Sequence, residues 1–287
     1  MDDSTDARIE PGTFDVLADE TRIGVLRALA ERQREVPEDP TLGFSELRAR
    51  VGVADSGNFS YHLDKLVGRF VTRIDGEYRL TNTGMTIVIA LLAGTYAGRD
   101  RVGPTEIDET CPVCDEPMRA THDDNALLIE CSSGHDYRNV FPAGAVENRS
   151  LPAAADMLSF YTQQEVEFTV AFGCPKCYGT VEWSPVETEA MTHVLAARCT
   201  RCGMGLTVPV GALVVRHPAV VSLYYEHGID VRERPIWTLD FCTDDGVTVL
   251  SEDPLRYRID VEPGEDRLRV ILDDCGEVRS VEHVAGE

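Results

Sequence analysis

Two short cysteine pairs, Cys174-Pro-Lys-Cys177 and Cys199-Thr-Arg-Cys202, constrain this chain more than any other feature. Each C-x-x-C turn brings two sulfurs from one tight knuckle to the same point. A glycine close behind permits the turn, and two knuckles together complete the tetrahedral thiolate cage that zinc prefers. Chance seldom places two such pairs at this separation, so the region is expected to fold around a metal ion. A less regular block precedes it, with Cys111 and Cys114 in CPVCDEP and Cys131 and His135 in CSSGHDY. Three cysteines and one histidine form an accepted zinc set; His122 competes as the fourth ligand, and spacing favours His135. The expectation is two structural zinc ions. Four protein ligands at each leave no open position for water or substrate, so neither site is expected to catalyse. Cys242 and Cys275 stand alone in strand-like contexts and read as small buried hydrophobes.

Redox compartment supports metal over disulfides. The first residues, MDDSTDARIEPG, are acidic and lack an apolar core, which argues against a secretory signal, and the longest apolar run, MTIVIALLAG, is ten residues where a membrane span needs about twenty. A cytoplasmic protein without membrane contact is expected, and in that compartment paired cysteines bind metal. The 287-residue chain carries 27 basic and 50 acidic side chains for a net charge of −23, with two lysines, Lys65 and Lys176, against 25 arginines. A surface so acidic and so poor in lysine reads as adaptation to a salt-rich cytoplasm.

The first hundred residues have a different texture. Phe14, Leu17, Ile23, Leu26 and Leu29 recur at near-helical spacing over 13–35, and EVPEDPTLG then breaks the pattern. Ser45 can cap a short helix, ELRARVG, that Gly52 ends. A third helix follows in VADSGNFSYHLDKLVG, then two strands joined at Asp75-Gly76, then an apolar helix from Met85 to Tyr96 that must be buried in this domain or against a second subunit.

That order is the order of a winged helix-turn-helix. LADETRIGVLRALAE together with SGNFSYHLDKLVGRFVTRIDGEYRLT resembles the ArsR-like winged-helix regulators, in the form found in halophilic archaea, over about residues 13–97. Their signatures are an Asp-x-Thr-Arg helix start and a Ser-x-His-Leu recognition helix. No cysteine precedes Cys111, so the metal-sensing motif of the prototypes is missing and metal-induced release from DNA is not implied. The resemblance implies double-stranded DNA as partner, and because a single recognition helix gives limited affinity, a symmetric homodimer on a pseudo-palindrome is expected.

On a helical wheel Phe59, Leu63 and Leu66 gather on one side, and Gly57, Asn58, Tyr61 and Lys65 on the other. Ser56, Asn58, Ser60, Tyr61 and Lys65 are the candidate DNA contacts on this helix; His62, on its flank, reads equally as a contact and as a structural histidine. Arg73 and Arg79 bracket the hairpin, where a wing reaches phosphates. Residues 44–81 hold six bases and five acids, so the segment stands at +1 in a protein at −23 and is basic relative to its surroundings.

The fold class expected is α+β: a disordered N-terminus (1–12), a winged helix-turn-helix (13–98), a polar linker (99–110), and a C-terminal domain (111–287) of two zinc-ribbon-like knuckle pairs, helices and a small antiparallel sheet formed by GVTVL, RYRIDVE, DRLRVILDD and GEVRSVEHV. No repeat beyond the cysteine blocks is expected. The function expected is a sequence-specific transcriptional regulator with a C-terminal dimerisation or sensing module; the alternative is a zinc-ribbon scaffold that binds protein or RNA. No catalytic constellation is present, and the carboxylates of EVEFTV and TDDG read as solvated surface. An apolar small-molecule effector has one candidate seat, between PAVVSLYYEHG and the sheet.

Overall fold

The computed structural model describes residues 12–96 and 101–284. The stretch 1–11 lies outside the described residues, as do 97–100 and 285–287. Two compact units divide the chain, residues 1–97 and 98–287. The class is α+β: the described residues form seven α-helices and four small antiparallel sheets.

In the first unit, α1 (Gly12–Leu17) and α2 (Glu20–Glu35) replace the single helix expected over 13–35. The break has a cause in Asp19, whose extended backbone and carboxylate, accepting from the Arg22 N–H at 3.1 Å, start a new helix. α3 (Phe44–Val51) begins one residue before Ser45; its N-cap is Gly43, with no side-chain cap, and Gly52 at φ 79° closes it. α4 (Ser56–Leu66) is capped by Asp55, which accepts from the Asn58 N–H. β1 (Val71–Ile74) and β2 (Glu77–Leu80) pair in register through Asp75 and Gly76, both at positive φ. α5 (Asn82–Leu92) follows its Thr81 cap. The core is a single cluster: Leu26 and Leu29 of α2, Leu47 of α3, and Phe59, Leu63 and Leu66 of α4 all bury completely against Phe70 and Val71. Each such side chain contributes about 1.5–3 kcal/mol.

In the second unit the expected linker 99–110 is corrected. Val102–Thr110 forms β3, which pairs with β4 (Pro117–Asp123), and β5 (Ala126–Cys131) and β6 (Asp136–Val140) complete a four-stranded sheet. A polar sequence with Gly and Pro becomes a strand because pairing with β4 satisfies its backbone, which composition cannot report. A 3₁₀ turn at Ala143–Ala145 leads into α6 (Leu151–Phe172), the longest helix described, packed on β3, β4 and β5. β7 (Val181–Val186), β8 (Val194–Cys199) and β9 (Gly205–Pro209) form a second sheet, followed by a 3₁₀ turn at Val210–Leu213 and α7 (Pro218–Glu226). β10 (Val247–Glu252), β11 (Leu255–Val261), β12 (Arg267–Asp273) and β13 (Val278–Val284) form the expected C-terminal meander.

The repeat therefore extends past the cysteine blocks. PAGAV at 142–146 and PVGALV at 209–214 each open on a proline and close on a valine near φ −110°, and each is followed by a helix with proline in its first turn. The chain carries the same order twice, two cysteine-bearing turns, then strand, 3₁₀ turn and helix, except that the first turn of the first copy joins β3 to β4 and that of the second joins α6 to β7.

Candidate metal centres and nucleic-acid interface

The first centre is made by two turns of one sheet. The β3–β4 turn closes with the Cys111 N–H donating to Glu116 O at 2.8 Å and the Asp115 N–H to Cys111 O at 2.9 Å; the β5–β6 turn closes with the Cys131 N–H donating to His135 O at 3.1 Å. These closures bring one donor atom each from Cys111, Cys114, Cys131 and His135 within 4.8 Å of one another. His135 Nδ1 lies 3.4 Å from Cys111 Sγ and 3.5 Å from Cys131 Sγ, and Cys114 and Cys131 are 3.7 Å apart. His122 is elsewhere: buried, it donates through Nε2 to Phe141 O at 2.7 Å. Spacing had favoured His135, and geometry selects it.

The second centre repeats the arrangement. Cys174, Cys177, Cys199 and Cys202 converge within 4.8 Å, with sulfur separations of 3.4 Å (Cys177–Cys199) and 3.8 Å (Cys174–Cys202). Gly179 is required here, since a Cβ would stand 2.7 Å from Arg201 Cβ and 3.1 Å from Cys199 Sγ. The Cys202 and Arg201 amides aim at Cys199 and hold its thiol down to about 6, whereas burial pushes Cys177 up to about 12, helped by the neighbouring sulfurs of Cys202 and Cys199. Burial likewise raises Cys111 to about 11. All these cysteines are free thiols. Four thiols, or three and an imidazole, packed this closely resist joint ionisation, and a divalent cation removes the conflict. Both sets can hold a metal ion, with all four donors from protein.

A third close group, Asp273, Asp274 and Cys275, differs in kind. Asp273 is already committed: it accepts from the Cys275 and Glu277 amides at 3.0 and 2.9 Å and pairs with Arg279. Cys275 is exposed, not buried as its strand-like context suggested, because it sits in the β12–β13 turn; Cys242 is buried as expected.

On α4, Ser56, Asn58, Tyr61 and Lys65 are exposed and Ser60 is half-buried, while Phe59, Leu63 and Leu66 face the core. Lys65 sits over the Tyr61 ring at 5.4 Å, and Arg73 over Tyr78 at 5.4 Å. Lys65, Arg73 and Arg79 have no ion-pair partner among the described residues. His62 does not join them. Its side chain is only 13% exposed and its Nδ1 lies 3.2 Å from the Asp19 carboxylate, so it ties α4 to the start of α2 instead of facing outward.

Sequence reasoning missed a network behind the second centre. Lys176, inside the CPKC knuckle, pairs with Glu165 of α6, and Asn139 of β6 donates to the same carboxylate at 2.6 Å. Of the EVEFTV carboxylates Glu165 is thus buried structure, while Glu167 stays exposed and pairs with Arg216; Asp244 of TDDG is half-buried and accepts from the Thr192 and His193 amides at 2.9 Å each. The signal was present: one of only two lysines lies between two metal-spaced cysteines. The cavity beside α7, of about 780 Å³, is lined by the carboxylates Asp108, Glu109, Asp240, Asp245, Asp260 and Glu262 together with Tyr224, Trp237, Leu239 and Phe241, a lining that repels anions.

Two family models match the chain, each described as a domain of unknown function: DUF7351 over residues 108–278 and DUF7347 over residues 11–91. No curated protein and no solved structure matches it.

Proposed function

The chain belongs to the DUF7351 family, and we propose that it works as a cytoplasmic, sequence-specific DNA-binding regulator of transcription, a winged helix joined to a zinc-ribbon module, without enzymatic activity. The observation that carries this reading is the exposed set Asn58, Tyr61 and Lys65 on α4 with Arg73 and Arg79 on the hairpin. These cations have no ion-pair partner among the described residues, in a chain where acids outnumber bases 50 to 27. Asn58 offers the bidentate amide that reads adenine, and the cations meet phosphates. At molar salt the Debye length is about 3 Å, so the net charge of −23 does not repel DNA beyond contact distance. Counterion release is weak under the same conditions, so two recognition helices must act together.

Zinc is the metal the donor geometry favours. Tetrahedral zinc with Zn–S of about 2.3 Å and Zn–N of about 2.05 Å requires ligand–ligand edges of about 3.8 Å between sulfurs and about 3.6 Å from sulfur to nitrogen. The separations of 3.4–3.8 Å lie close to that. Cys111, Cys114, Cys131 and His135 would hold one ion and Cys174, Cys177, Cys199 and Cys202 the other; zinc there would neutralise the thiolates and hold the knuckles. For the homodimer, Ile89 and Leu92 of α5 with Tyr96 just beyond it, 58–69% exposed, supply an apolar face.

The test is capture of genomic fragments of the source organism in about molar KCl, where nonspecific binding is suppressed, by the wild-type chain and by a variant with alanine at Asn58, Tyr61 and Lys65. Enrichment of a shared palindrome, lost in the variant, is the expected result. A second reading, a scaffold for protein or RNA, draws on Phe172 and Tyr178, 77% and 79% exposed beside the second centre. A folded, metal-loaded chain that enriches no DNA would favour it.

A further inference from the structure

Residues 188–191, in the loop between β7 and β8, form one side of a second cavity, of about 550 Å³, within the roughly 300–1,000 Å³ range of small-molecule sites. The loop has a set place. The Met191 N–H donates to Thr188 Oγ1 at 2.9 Å across its turn, and the Thr192 and His193 amides that follow are held by Asp244. Leu158 of α6, Val194 of β8, Val208 of β9 and Ile236 supply an apolar floor. Tyr137 of β6 adds a half-buried ring, backed by Trp237, whose own ring lies 5.1 Å away at an angle of 43°. The segment that carries Trp237 is fixed in turn, with the Ile236 N–H donating to Ser159 Oγ at 3.1 Å and Gln163 donating to Arg234 O at 2.9 Å.

Charge selects the class of occupant. Asp136 and Glu189 line the cavity against one base, Arg138, and neither carboxylate has an ion-pair partner among the described residues. Pro112 and Trp237 line both this cavity and the acidic one of about 780 Å³, so the carboxylates of that cavity add to the same negative field through protein, where salt screens little. An anion is repelled, and a neutral molecule leaves the surplus carboxylate unmatched. A hard metal ion needs several oxygen donors at close range, and neither Asp136 nor Glu189 belongs to a close group of three donors. An organic cation uses every part of the wall: its charge answers the carboxylates, the ring face attracts it, and the floor covers its hydrocarbon. Two carboxylates against one guanidinium match a single positive charge.

We propose that this cavity binds an organic monocation with an apolar body, an alkyl- or aryl-ammonium, its head held by the Glu189 and Asp136 carboxylates and the Tyr137 ring and its body on the floor of Leu158, Val194, Val208 and Ile236. Such a ligand touches β6 of the first cysteine module and β8 and β9 of the second, and so couples the two. The inference does not rest on DNA binding.

The probe that tests it is benzyltrimethylammonium, whose charge does not titrate, added to the metal-loaded full chain in about molar KCl and followed by calorimetry. At that salt the Debye length is about 3 Å, so scattered surface carboxylates hold little of it. Its uncharged carbon isostere, neopentylbenzene, is the control, used below its solubility limit. Saturable binding of one cation per chain is expected, at least about tenfold tighter than the isostere. Ala190→Phe, which fills the cavity from the loop, should weaken binding by about tenfold or more. Glu189→Gln and Tyr137→Leu should each weaken it about threefold or more, the first by removing a carboxylate and the second by removing the ring face. Each variant is checked for two metals per chain. Absence of saturable binding, equal affinity for the isostere, or binding that Ala190→Phe leaves unchanged overturns the proposal, as does binding indifferent to both Glu189→Gln and Tyr137→Leu.

Discussion

Lys176, held in the turn between two metal-spaced cysteines, forms an ion pair with Glu165, a buried carboxylate in the middle of α6. Because Asn139 of the first cysteine module donates to the same carboxylate, Glu165 joins both modules to one helix. Burial by itself would lower the Lys176 pKa; Glu165 and Tyr161 outweigh it and raise it. The lysine head also lies 4.8 Å over the Tyr161 ring, so its position is set from two sides.

Removing one partner strands the other. Lys176→Met leaves Glu165 buried without its cation and should cost about 2–3 kcal/mol, below the roughly 3–5 kcal/mol of fully enclosed pairs because the lysine side chain is 30% exposed. Combining it with Glu165→Gln should recover part of the loss, as measured by denaturant midpoints in concentrated salt.

The two histidines near the first centre separate cleanly. His135→Ala should lower the metal content from two ions per chain to one. His122→Ala should keep both ions but destabilise by about 1–3 kcal/mol, because Phe141 O loses its donor in a buried place. Metal counting with a thermal melt on each variant checks both; loss of an ion from His122→Ala would reverse the ligand assignment.

Gly84 lies in α5, where helix propensity would favour alanine by about 1 kcal/mol. Packing opposes it and should win: a Cβ would stand 2.1 Å from Phe70 O and 3.2 Å from Leu80 Cδ2. Gly84→Ala is expected to destabilise by about 1–3 kcal/mol net. At Gly57 the nearest atom is Asp55 Oδ1 at 3.4 Å, so Gly57→Ala should be neutral or slightly stabilising. Equal denaturation midpoints for the two variants would contradict this.

Burial raises the Asp273 carboxyl, but the Glu277 amide and Arg279, then the Cys275 amide, outweigh it, and the group titrates below its ordinary value. A depressed native pKa contributes stability that is complete above the unfolded value, about 4, and is lost as pH falls through the native one. Asp273→Asn should therefore destabilise at neutral pH and flatten the acid limb of the stability profile, a difference that denaturation midpoints from about pH 6 downward would register.

If α5 forms the homodimer seam, Ile89→Ser with Leu92→Ser should convert dimer to a folded monomer, since both side chains are exposed, and should remove the concentration dependence of the melting temperature that dimerisation gives the wild type. Sedimentation in high salt at micromolar concentration decides it; a wild-type monomer there would remove the seam.

What the sequence could say by itself was whatever is written in local spacing. The cysteine pairs, the Asp75-Gly76 hairpin, the apolar side of α4 and the four-strand C-terminal meander all rest on neighbours a few residues apart, and each is found where spacing placed it. Tertiary structure decided the rest, because there the partner is distant in the chain. α6 went unread because Ser159, Gln163, Glu165 and Thr169 interrupt its apolar period; Arg234, Ile236, Lys176 and Asn139 meet the first three, and Thr169 donates back to Glu165 O of its own helix. His62 turned inward against Asp19, 43 residues earlier, the carboxylate that also caps α2 and lies 3.2 Å from its Nδ1. Polar side chains are neutral in a sequence pattern, and whether one faces water or a partner depends on desolvation being matched by a hydrogen bond that only the folded chain supplies.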